Sequence, residues 1–235
     1  MDLNILITTA PFGNGHLMVA TALKNAFTNK GYNNVFVVDL FTESHPFITQ
    51  TIKKAYIKSY ELGETYSLLY YGSEKLVDKK IMDLYRNFGL KKLNQISIEF
   101  KPDIIINTFP ILAPLKIKDE KGENIPVFNI VTDFYVHKLW LSEEIDKFYI
   151  ATHELQEELS KMNIPIEKTV VSGIPVRDAF EEMENLTNYY KKYRLSSSKK
   201  IVLINAGAFG VLKDIKKVCI ALCKNKNIQV AVVCG

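Results

Sequence analysis

Leu3-Asn4-Ile5-Leu6-Ile7-Thr8-Thr9, running into Ala10-Pro11-Phe12-Gly13-Asn14-Gly15-His16, is the stretch whose reading decides the fold. Its first part is apolar and rich in β-branched residues. An apolar run without polar alternation predicts a strand covered on both faces, as in a parallel sheet. The proline and glycines that follow predict a loop. From Leu17 to Phe27, Val19, Ala20, Leu23 and Phe27 recur at helical spacing, Gly31 closes the helix, and Val35–Val38 is a second strand. Strand, glycine loop, helix and strand make a parallel β-α-β unit.

The same logic extends outward. Asp103–Asn107, Val127–Val131, Lys147–Ile150 and Thr169–Val171 read as further buried strands. Together they predict one doubly wound α/β domain over residues 1–180. A polar stretch over 181–198, ending in serines, reads as a short helix and a linker. The opening pattern then returns: a strand at Lys200–Ile204, a glycine loop at Asn205–Gly210, a helix at Val211–Cys223 and a strand at Gln229–Val233. One β-α-β unit has too little surface to build a core alone. Residues 199–235 are therefore expected to be the first, incomplete unit of a second Rossmann-like domain. Between Phe47 and Lys101 no strand pattern occurs, and lysines alternate with tyrosines and phenylalanines. This segment is expected to be an insertion of two or three helices.

Composition sets bounds. A hydrophobic share of 47% and a charged share of 24% suit a globular protein, and a net charge of +4 is too mild to argue for nucleic acid. That charge suits an anionic membrane surface if it is concentrated in one place. The Met1-Asp2 start lacks the basic region of a signal peptide, and no apolar run reaches the roughly 18 residues of a membrane span. The three cysteines include Cys219 and Cys223 at helical spacing and no metal-type pair, which predicts free thiols in a reducing compartment. Asn185-Leu186-Thr187 matches a glycan acceptor pattern, but nothing else points to secretion.

Three loops could carry chemistry. Gly13-Asn14-Gly15 places backbone N–H groups at a helix N-terminus, which favours an anion such as a diphosphate or a lipid headgroup. It is not a dinucleotide fingerprint, because Met18 stands where the third glycine belongs. No Walker lysine follows it either. His16 is either a first-turn residue bonding nearby backbone or a catalytic base at the carboxyl edge of the sheet. Asp133, after the strand Val127–Val131, is either a helix N-cap or the carboxylate partner of an imidazole. His137 and Trp140 follow closely and suggest a polar pocket with an apolar wall. Ser172–Arg177 is a candidate cleft-lining loop. His45, beside Pro46, reads as a surface residue, and His153 begins a helix without a catalytic role.

The ordered set Gly13–Ala20, Asp39-Leu40-Phe41, His45-Pro46, Thr132-Asp133, His137, Trp140, Phe148–Thr152, Gly173–Val176 and Ala206–Val211 resembles the bacterial processive diacylglycerol glucosyltransferases. These are similar to plant monogalactosyldiacylglycerol synthases and, more distantly, to the peptidoglycan transferase that makes lipid II. The resemblance implies a GT-B fold, with an acceptor domain and a nucleotide-sugar domain facing a cleft. It implies a hexosyltransferase using UDP-glucose as co-substrate, with no cofactor or metal. The acceptor would be diacylglycerol, the linkage would invert to a β-glycoside, and the glycolipid would anchor lipoteichoic acid. In that reading His16, Asp133 and His137 are catalytic, and Gly13, Asn14, Gly15 and Trp140 bind the acceptor or an anion. Gly207, Ala208, Phe209 and Gly210 approach the donor diphosphate. Lys53, Lys54, Lys58, Lys79 and Lys80 meet anionic lipid at the cytoplasmic face of the membrane. A nucleotide-binding oxidoreductase and a non-catalytic lipid-binding module are the rival readings.

Overall fold

The computed structural model describes residues 3–61, 79–180, 186–205 and 214–233. Strand β1 (Ile5–Thr9) is buried at every residue and is flanked by β2 (Val35–Asp39) and β3 (Ile104–Asn107). β4 (Val127–Ile130), β5 (Lys147–Ile150) and β6 (Thr169–Val171) complete a six-stranded sheet of order β2-β1-β3-β4-β5-β6, all parallel. Apolar side chains leave β1 on both faces. Ile5 and Ile7 pack with Val19 and Ala20 of helix α1 (Asn14–Asn29). Leu6 packs on the other face with Leu40, Leu93, Ile105, Val127 and Phe148. This two-sided burial is why the strand reads as an uninterrupted apolar run.

Helix α1 begins three residues earlier than its apolar periodicity indicates, because Asn14, Gly15 and His16 belong to its first turn. Just past its end Gly31 turns the chain at φ +91, and Tyr32 N–H bonds Phe27 O at 3.0 Å. After β2, Asp39 caps the short helix α2 (Leu40–Ser44) by accepting from Thr42 N–H at 3.0 Å. Among the described residues the insertion then supplies helices α3 (Pro46–Glu61), α4 (Lys79–Arg86) and α5 (Leu90–Phe100). Helix α6 (His153–Lys161) connects β5 to β6, with Thr152 as its N-cap. Helix α7 (Leu186–Lys192) lies in the stretch expected to hold a short helix and a linker.

The closing residues form a separate two-stranded parallel sheet. β7 (Lys200–Asn205) pairs with β8 (Ile228–Val233) over six residues, with helix α8 (Ile215–Cys223) between them. Among the described residues no helix is long and apolar enough to cross a membrane.

The strand order reverses beside β1: the chain goes from β1 out to β2, then returns past β1 to β3. In open α/β sheets such a reversal leaves a crevice at the carboxyl ends of the two neighbouring strands, because their following connections leave toward opposite faces. The loops after β1, β3 and β4 all open at that edge.

Candidate functional site

His16 stands in the first turn of α1, directly beyond the carboxyl end of β1. Its Nδ1 lies 2.9 Å from the backbone oxygen of Thr108, the residue after β3, and 2.7 Å from the hydroxyl oxygen of Thr132, just after β4. A carbonyl oxygen can only accept, so Nδ1 carries the hydrogen and donates it. The neutral ring therefore keeps its lone pair on Nε2. Phe109 closes one side of the imidazole edge-on, with ring centroids 4.9 Å apart. Phe12 and Phe41 pack against Phe109 and extend this apolar wall.

Burial holds the His16 pKa below its ordinary value of 6.5, while the charge of Asp133 and the Thr108 carbonyl pull it partly back. The helix N-terminus disfavours the cation as well. Asp133 moves the other way: burial raises its carboxyl above the usual range, and the nearby His16 charge offsets part of the rise. The two side chains thus act on each other electrostatically. No helix follows Asp133 until the single turn Lys138–Trp140, so Asp133 is not a helix N-cap.

The other expected site residues fall in different places. Gly13 is the N-cap of α1 at φ 91, ψ 158, a region open to glycine almost alone, and Asn14 and Gly15 are the exposed first residues of the helix. A side chain at Gly13 would stand 3.6 Å from the Tyr56 hydroxyl of α3. His137 is buried, and its Nδ1 accepts from Leu139 N–H at 3.2 Å to cap the Lys138–Trp140 turn. Trp140 is only 1% exposed and belongs to the hydrophobic core. The wall beside His16 is built from phenylalanines.

On α3, Lys54 and Lys58 are exposed and Lys53 is half-buried. Lys79 and Lys80 start α4. Phe47 is 84% exposed on α3, and Ile48 and Ile52 are exposed with it. Gly207, Ala208, Phe209 and Gly210 lie outside the described residues.

Residue-type reasoning gave Thr132 no role of its own and passed over Thr108 and a buried polar ladder beneath them. The Thr8 hydroxyl donates to Asn107 Oδ1 at 2.6 Å, and Asn107 Nδ2 donates to Asn129 Oδ1 at 2.8 Å and to Ile111 O at 3.0 Å. Asn129 Nδ2 donates to Trp140 O at 3.0 Å. The signal for it was in the sequence: a lone asparagine in each of two otherwise apolar strands, Ile104–Asn107 and Val127–Ile130.

With this geometry in view, the family described as monogalactosyldiacylglycerol (MGDG) synthase matches residues 16–176. Proteins of Bacillus cereus (strain G9842) and Bacillus cytotoxicus named processive diacylglycerol beta-glucosyltransferase are 49% identical over 232 residues, covering 98% of this chain and 60% of theirs. The chain thus spans about three fifths of the length of these curated relatives. Among solved structures, the S. aureus MnaA–UDP co-structure aligns with a TM-score of 0.53 at 14% identity, covering 99% of this chain and 62% of that one. A Neisseria meningitidis UDP-GlcNAc 2-epimerase bound to UDP-GlcNAc aligns at 0.51 and 13%, covering 97% and 64%. At such identities the likeness speaks to fold, and the fold is the Rossmann-like, GT-B type that was expected.

Proposed function

Since the chain belongs to the monogalactosyldiacylglycerol synthase family, we propose that it is the acceptor-side part of an enzyme that moves glucose from UDP-glucose to diacylglycerol, and then to glucosyl-diacylglycerol, with inversion. The observation that carries this reading is the His16 imidazole, with Nδ1–H committed to the Thr108 carbonyl and Nε2 left to act as a base at the switch point of the sheet. The curated relatives carry the name of that activity, and the two structural neighbours hold UDP or UDP-GlcNAc.

The step follows from the residues. An acceptor hydroxyl next to His16 Nε2 gives up its proton as its oxygen bonds the anomeric carbon of glucose. The bond from that carbon to the diphosphate oxygen breaks, and UDP leaves with the electron pair. A single displacement inverts the configuration. Asp133 steadies the imidazolium formed in the step. The wall of Phe109, Phe12 and Phe41 keeps water, the competing acceptor, from the ring. In this reading residues 1–180 bind the acceptor, 181–198 link, and 199–235 open the nucleotide-sugar domain. The Gly207–Gly210 loop would meet the diphosphate, and no resident cofactor or metal is required.

We place the protein peripherally at the cytoplasmic face of the membrane, its glycolipid serving as anchor for lipoteichoic acid. The exposed Phe47, Ile48 and Ile52, with Lys54 and Lys58 on the same helix, support docking on anionic lipid. A second reading, a lipid-binding part without transfer activity, rests on these same exposed side chains.

Transfer from radiolabelled UDP-glucose to diacylglycerol in anionic vesicles, paired with vesicle flotation, tests both. His16→Ala is expected to lower transfer by about 10²–10⁴-fold while leaving flotation unchanged. Near-wild-type turnover in that variant would remove His16 from the chemistry. Flotation without transfer in the unmodified chain would favour the binding part.

A further inference from the structure

Asn107 is completely buried at the last position of β3, and Asn129 is almost as buried in β4. Their neighbours along these strands are isoleucine, valine and phenylalanine, so two carboxamides here are costly unless every polar atom is matched. They are matched, and in one direction. Ile111 O and Trp140 O can only accept, which orients both amide groups and leaves Asn107 Oδ1 to be filled by the Thr8 hydroxyl. The ladder crosses the carboxyl ends of β1, β3 and β4, whose loops carry His16, Thr108 and Thr132 respectively. It also turns back on itself: Thr108 N–H bonds Thr8 O at 3.0 Å, and the Thr108 carbonyl holds His16.

We propose that Asn107 is a positioning residue for His16: by tying Thr8, Ile111 and Asn129 together it fixes the Thr108 carbonyl on Nδ1, and so assigns the free lone pair to Nε2. This deepens the reading of His16 as the base and rests on it for its catalytic meaning. A purely structural ladder would stabilise the sheet without controlling which ring nitrogen carries the hydrogen. Partners that orient a working imidazole decide that choice.

The test is imidazole ¹⁵N NMR on the chain, with the His16 resonances assigned by their loss in His16→Ala. Above its titration His16 is expected to be in the Nδ1–H form. Thr8→Val keeps shape and removes only the hydroxyl that fills Asn107 Oδ1, and Asn107→Leu removes the hub. Both are expected to move the tautomer ratio toward Nε2–H by roughly two- to tenfold, about what one buried hydrogen bond contributes. Should Asn107→Leu fail to fold, Thr8→Val decides the question. A wild-type His16 in the Nε2–H form, or a Thr8→Val ratio equal to wild type, overturns the proposal. If the ratio moves as expected while His16→Ala still transfers glucose, the ladder proposal stands and the reading of His16 as the base falls.

Discussion

At the residue scale the site turns on a pair whose pKa values move toward each other. Burial lowers His16 and raises Asp133, and each charge partly corrects the other. His16 therefore stays neutral, and able to accept a proton, to below its ordinary 6.5. The acid limb of the transfer rate is expected below that pH. Asp133→Asn deletes the charge that raises His16, so the limb should shift further toward acid, with a smaller maximal rate because the imidazolium loses its partner. A ¹H NMR titration of the His16 ring in both proteins checks the sign, and an upward shift in the variant would remove Asp133 from the pair. The linkage to stability has opposite signs at the two residues. A depressed His16 adds stability above its unfolded pKa and loses it as the pH falls below 6.5. A raised Asp133 adds stability at low pH and loses it as the pH rises through its folded value. His16 and Asp133 were legible because each follows an apolar strand at a loop. Thr108 was not, since it acts through its carbonyl and any residue could supply one.

At the element scale α3 has two different sides. Thr49 is buried and its hydroxyl donates to Phe41 O at 2.8 Å, while Tyr56, one face along, reaches the glycine loop. Phe47, Ile48 and Ile52 with Lys54 and Lys58 point outward. The missing strand pattern announced a helical insertion, yet could not tell which aromatics face the body and which face out. That division depends on where the helix meets the sheet, which is tertiary information. If the outward side docks on lipid, reversing Lys53, Lys54 and Lys58 to glutamate should weaken binding to anionic vesicles by about a hundredfold or more in low salt, at about 1 kcal/mol per charge. The difference should shrink in ~1 M salt, where the screening length is about 3 Å. Equal flotation of the variant and the wild type at low salt would mean that α3 does not face the bilayer.

At the scale of the whole molecule the two sheets differ in how well their backbones are protected from water. Among the described residues β1 and β3 have partners on both edges and apolar cover on both faces, while β7 and β8 pair with each other. Leu203 of β7 is 66% exposed, and no residue of β7 or β8 is buried. The sequence presents the two units as repeats of one pattern, strand, glycine loop, helix and strand. Periodicity reports how a segment would be covered and says nothing of how much cover surrounds it. Local opening requires breaking only the contacts a segment has, so its free energy should follow that cover. Hydrogen–deuterium exchange should accordingly leave β1 and β3 amides protected far longer than those of β7 and β8. The ordering should hold while His16 and its ladder stay in the slow class, because a base held to a fixed tautomer needs a rigid floor beneath it. Protection of β7 and β8 equal to that of β1 would show cover over the second sheet that its exposed side chains do not reveal.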